Sequence, residues 1–146
     1  MNLKSYLQLK IIYVDEELIE LEIKGSDTCF SGTTDVYADI KSIKPFADQL
    51  IDFPKNNKML FFELGDKDSR YSYFSISFYP THSLSHIGVQ IKMVTETGLR
   101  TEDQCKIQFE ILVEPNAIDE FRKALNQIAL KKSGSAILYG KDNRLS

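Results

Sequence analysis

The chain has 146 residues, of which 42% are hydrophobic, 11% aromatic and 27% charged, and 18 basic against 21 acidic side chains leave a formal net charge of −3. That length suits a single domain with a sizeable core, and the apolar share excludes a disordered chain. No apolar run approaches the roughly 20 residues of a membrane helix, and the opening MNLKSYLQLK lacks the apolar centre of a signal peptide, so a cytoplasmic protein with no membrane partner is expected. A slightly acidic balance gives no support for nucleic-acid binding, which rests on phosphate neutralisation.

The first half opens as a hairpin. Leu7, Leu9 and Ile11 alternate with Gln8 and Lys10, and Ile19, Leu21 and Ile23 alternate with Glu20, Glu22 and Lys24. Period two means one buried and one wetted face. Asp15 and Glu16 mark the reversal, and Gly25 to Asp27 marks the next break. A third strand through FSGTTDVYADI sets Val36, Ala38 and Ile40 on one face and Tyr37 and Asp39 on the other. Gly32 within it signals a bulge or a close backbone approach.

The period then changes. Ile43, Phe46, Ala47, Leu50 and Ile51 form one helical stripe, with Ser42 as N-cap, Pro45 in the first turn and Pro54 closing it. Four strands follow: KMLFFEL, RYSYFSISFY, the alternation Ile87 to Met93, and the alternation Cys105 to Val113. Between them lie a polar turn from Gly65 to Ser69, a loop from Pro80 to Ser85 and a break from Thr97 to Asp103. Short connections of this kind favour antiparallel meanders. A second helix starts at Pro115 or Asn116, with Asp119 placed as in a capping box and Ile118, Phe121, Leu125 and Ile128 as its apolar stripe.

The expected fold is α+β: one antiparallel sheet of six or seven strands, with two helices packed on one face. Residues 1–132 form the single domain, and 133–146 a C-terminal tail whose apolar patch, Ala136 to Tyr139, either pairs on a sheet edge or stays loose. The expected core comprises Leu9, Ile11, Ile19, Leu21, Val36, Phe46, Leu50, Phe74, Ile76, Val89, Ile91, Ile107, Phe109, Ile111, Phe121 and Leu125.

Motifs for catalysis are sparse. His82 and His86 flank a strand start, where residues four apart are roughly 13 Å apart, and no Glu or Cys nearby completes a metal ligand set. Phosphate-cradling Gly motifs and a GxSxG elbow are absent. Asp66 and Asp68 look like turn residues, and Cys29 and Cys105 like small buried hydrophobes. No enzyme activity, metal or organic cofactor is expected.

Two surface features point instead to a protein partner. Glu16, Glu20 and Glu22 line the wetted face of the second strand with Asp15 beside them; such a stripe is either an ordinary solvated face or a mimic of phosphates for a basic partner. Tyr71, Tyr73 and Tyr79 share one strand face, next to Gln90 and Lys92 on the following strand, and tyrosine is enriched in interfaces. Packing of those rings on neighbouring strands is the competing reading. The partner-binding candidates are therefore Tyr71, Tyr73, Tyr79, Gln90, Lys92, Glu20 and Glu22.

The order of elements, with FSGTTDVYADI leading into the first helix and QFEILVEPNAIDEFRKAL at the close, resembles a group of small bacterial proteins that includes WapI-type immunity proteins. That resemblance covers most of Leu7 to Leu130 and rests on apolar positions and Gly32, while the absence of Trp departs from it. It implies a protein that neutralises a toxin domain made by the same cell. The alternative is a self-associating structural or housekeeping protein that pairs through Ala136 to Tyr139; of the two expected states, monomer or weak homodimer, the first leaves the surface free for a foreign partner and the second fits this alternative.

Overall fold

The structure, a computed structural model, describes residues 3–55, 58–67, 70–81, 86–96, 98 and 100–144. Among these residues, eight strands form two four-stranded antiparallel sheets rather than one larger sheet. Strands β1 (Tyr6–Asp15), β2 (Leu18–Ser26) and β3 (Ser31–Asp39) pair in sequence, and β8 (Ser135–Tyr139) joins the free edge of β1, giving the order β3-β2-β1-β8. Strands β4 (Leu60–Gly65), β5 (Tyr73–Pro80), β6 (Ile87–Val94) and β7 (Lys106–Val113) form the second sheet as a plain meander. The helices are α1 (Ile43–Gln49), between β3 and β4, and α2 (Pro115–Lys131), between β7 and β8.

The expectation of one six- or seven-stranded sheet is thus corrected. Each short connection does join antiparallel neighbours, but α1 carries the chain away from the edge of β3, so β4 starts a new sheet. The tail closes the first sheet instead of extending the second. Ala136 and Leu138 are fully buried in β8, so this segment is committed within the chain.

Each sheet has one apolar face, and both faces meet in a single core with the helices. Phe46 of α1 stacks on Phe62 of β4 with centroids 4.0 Å apart, and lies edge-on to Phe121 of α2 at 6.3 Å. The two sheets approach closely where side chains are missing. A Cβ on Gly32 would lie 3.0 Å from Ile107, and one on Gly25 would lie 2.9 Å from Phe109. Gly32 therefore serves close approach and not a bulge. The bulge is at Ile12, where the β1–β2 register slips and leaves Ile12, Tyr13 and Val14 all partly exposed.

Local capping also departs from expectation. Ser42 makes no side-chain cap; Asp39 instead caps a 3-10 turn (Ile40–Ser42), accepting from the Lys41 N–H at 2.9 Å. Asp119 does not cap α2 but pairs with Arg122 at 2.7 Å and Lys123 at 3.3 Å. The expected core is buried apart from Ile107, which is half-buried at the seam between sheets. Cys29 and Cys105 are exposed rather than buried, because one sits in the β2–β3 turn and the other precedes β7.

Candidate binding cleft

Strand β3 runs across the ends of the second sheet's strands. Gly32 meets Ile107 of β7, and the Thr34 hydroxyl donates to the Val94 carbonyl at the end of β6 at 3.0 Å. Thr34 points inward, so alternation turns Thr33, Asp35 and Tyr37 outward. On β2, Glu20 lies opposite Tyr37 and Glu22 opposite Asp35.

The facing wall comes from turns of the second sheet. Gly65 ends β4 with a φ of 88°, and a Cβ there would lie 2.3 Å from the Ser72 carbonyl. Only glycine accepts both conditions, and the tight closure sets Tyr71 and Ser72 beside β3. Thr95 is fixed by exchange with Cys105: its N–H donates to the Cys105 carbonyl and its hydroxyl accepts from the Cys105 N–H, both at 2.9 Å. Glu96 follows it. Between these walls lies an open cleft of about 550 Å³, lined by Glu20, Asp35, Tyr37, Tyr71, Thr95 and Glu96 among others.

The cleft is acidic and aromatic. Tyr37 is 59% exposed and Tyr71 55%. Among the described residues no Lys or Arg lies within ion-pair distance of Glu20, Asp35 or Glu96, whereas Glu22 pairs with Lys24 at 3.6 Å. Three carboxylates without an ion-pair partner among the described residues line one concavity and bias its field negative. The Arg70 guanidinium stands 5.6 Å from the centre of the Tyr71 ring.

The expected partner-binding residues divide into two groups. Glu20 and Tyr71 meet in the cleft, with Glu22 one row away. Tyr73, Tyr79, Gln90 and Lys92 lie on the outward face of the second sheet. There Tyr73 is only 3% exposed: its hydroxyl donates to Glu63 at 2.7 Å, and Lys92 lies 6.0 Å over its ring. Tyr79 crosses the bare backbone of Gly88 to donate a short hydrogen bond to Glu110 on β7. Burial and that carboxylate together hold its hydroxyl well above the usual phenol range. Both rings are used in packing on neighbouring strands, and only Gln90 of this group is open to solvent.

Nothing in the local sequence marks Tyr37, Asp35 or Glu96 as residues of a site. The alternation of β3 does turn Tyr37 to the wet side, but its sharing one cleft with Tyr71 depends on the arrangement of two sheets. Elsewhere, His86 stands at the opposite end of β6 from the cleft, about 25 Å along the strand; His82 and Asp68 lie outside the described residues. Among the described residues no three His, Cys, Asp or Glu side chains gather as a metal would need. A smaller groove of about 390 Å³ between α1 and α2 includes Lys41, Lys44 and Leu130, but its cations already pair with Glu17 at 3.0 Å and Asp48 at 3.1 Å. No described helix is long and apolar enough to cross a membrane.

No protein-family model and no curated protein matches the chain. Among solved structures, the crystal structure of WHY3 from Arabidopsis thaliana is similar at 9% identity and a TM-score of 0.46, over 88% of this chain and 83% of that one. A likeness at that level carries no information on function.

Proposed function

We propose that the protein is a non-enzymatic protein-binding module of the immunity type, which neutralises a toxin domain made by the same bacterial cell, and that the cleft beside β3 is its contact surface. The observation that carries this reading is the set of uncompensated carboxylates, Glu20, Asp35 and Glu96, sharing one concavity with two exposed tyrosines. Such a surface attracts a basic partner at long range, while the rings supply contact area at little entropic cost. Among the described residues neither an imidazole nor a thiol lines the cleft.

Ala136 to Tyr139, the segment through which a self-associating protein would pair, is joined to β1 along one edge and is the edge strand of its sheet. The binding reading is tested in cells. Co-expression with the toxin domain encoded beside this gene should restore growth for the wild-type chain, and the double variant Glu20→Lys, Asp35→Lys should lose that protection while remaining folded and abundant. Protection that survives the double charge reversal would remove the cleft from the interface, and no protection by the wild-type chain would sink the immunity reading.

A further inference from the structure

The cleft pairs flat aromatic faces with carboxylates, and this combination discriminates among cations. A guanidinium is planar, stacks on aromatic rings and offers a fork of donors to carboxylates, whereas an ammonium is a compact, strongly hydrated point charge. The chain itself places a guanidinium on one of these rings, since Arg70 lies 5.6 Å from the centre of Tyr71. Asp35 and Tyr37 project from the same face of β3, and Glu20 sits directly opposite Tyr37 on β2. A side chain entering between Tyr37 and Tyr71 would find carboxylates on the β2–β3 side and Glu96 on the other.

We infer that the cleft recognises an arginine side chain of the partner protein, and that Arg70 holds the Tyr71 ring in the free protein as an internal stand-in for it. The inference rests on the partner-binding reading and adds the chemical class of the group bound. Arg70 is exposed and stands outside the β-sheets, so its displacement disturbs no buried packing. It is thus a positioning residue that competes with the incoming guanidinium for one ring face.

The test uses N-acetyl-arginine amide as probe, and N-acetyl-citrulline amide as the uncharged compound of nearly the same shape. Ring resonances of Tyr37 and Tyr71 are followed by NMR in the full chain and in Arg70→Ala, with a melting curve to confirm that the variant folds. The arginine probe should shift both rings saturably and the citrulline probe should not. Arg70→Ala should bind the arginine probe about threefold more tightly, the size of an exposed cation–π contact. Equal response to both probes, or no response in either protein, would overturn guanidinium recognition. Unchanged or weaker binding in Arg70→Ala would overturn the role given to Arg70. A toxin domain that binds while the arginine probe stays silent in both proteins would overturn this inference alone and leave partner binding intact.

Discussion

The Thr34 hydroxyl and the Val94 carbonyl, 60 residues apart in sequence, form a buried hydrogen bond of 3.0 Å that fastens the edge of one sheet to the end of the other. Asp35 and Tyr37 follow Thr34 along β3, and Thr95 and Glu96 follow Val94, so this bond sets the spacing of the cleft walls. Thr34→Val keeps the shape but leaves the carbonyl without this donor. It should cost about 1–3 kcal/mol in urea unfolding, and Thr34→Ser should recover part of that loss. A Thr34→Val chain as stable as the parent would mean the seam is held by apolar packing alone.

The Tyr79–Glu110 contact gives the protein a response to alkaline pH. The Tyr79 hydroxyl has its ordinary value near 10 when unfolded and is raised in the fold, mainly by burial and then by Glu110. A raised folded value means that the contribution is complete below 10 and is lost as pH climbs above it toward the folded value. Melting temperature should therefore fall through that alkaline window, and the fall should be shallower in Glu110→Gln. Gly88→Ala should act on the same contact, because the added Cβ would lie 2.3 Å from the Tyr79 ring. Ultraviolet titration should then show one more tyrosine ionising in the ordinary range than in the parent.

Phe121 of α2 is fully buried and meets Phe46 of α1 edge-on, where the two helices pack together. Phe121→Ala should cost roughly 3–5 kcal/mol, read from denaturant midpoints at constant slope. A loss below about 1 kcal/mol would show that the contact between the two helices is not essential to the core.

The C-terminal segment behaves as part of the domain. Beyond β8, Asp142 accepts from the Ser5 hydroxyl at 2.6 Å, and the Lys4 N–H donates to Asn143 at 2.8 Å, so the chain ends are clasped together. Deleting 135–146 removes Ala136 and Leu138 from the core and exposes the β1 edge, and the product should be unfolded or aggregated by circular dichroism and gel filtration. Asp142→Ala should be folded and weaker by only about 1 kcal/mol. A stable, monomeric deletion product would return these residues to the status of a loose tail.

Much of the fold was legible in local pattern. Alternation in Leu7 to Ile11, Ile19 to Ile23 and Ile87 to Met93 reports the apolar face of each strand, and the Ile118–Phe121–Leu125–Ile128 stripe reports α2. What local pattern does not carry is which strands share a sheet. A helix between β3 and β4 is compatible with one sheet or two, and the pairing of β8 with β1 joins residues about 130 positions apart in the sequence, as with Leu9 opposite Ala136. The site suffered from the same gap. Tyr73 and Tyr79 alternate outward as an interface would, yet Glu63, Lys92 and Gly88 on adjacent strands absorb both rings. Glu20 and Tyr71 became neighbours only through the crossing of the two sheets.

If the proposed toxin partner sits in the cleft beside β3 and not on the outward face of the second sheet, calorimetric titration of that toxin domain against Tyr37→Ala and Gln90→Ala will separate the two surfaces. Both side chains are exposed, so neither truncation should alter folding, and melting curves on the same samples check this. Tyr37→Ala should weaken binding about tenfold or more, the loss expected of a hot-spot ring, and Gln90→Ala should leave affinity unchanged. Full affinity in Tyr37→Ala with a marked loss in Gln90→Ala would contradict that placement of the partner.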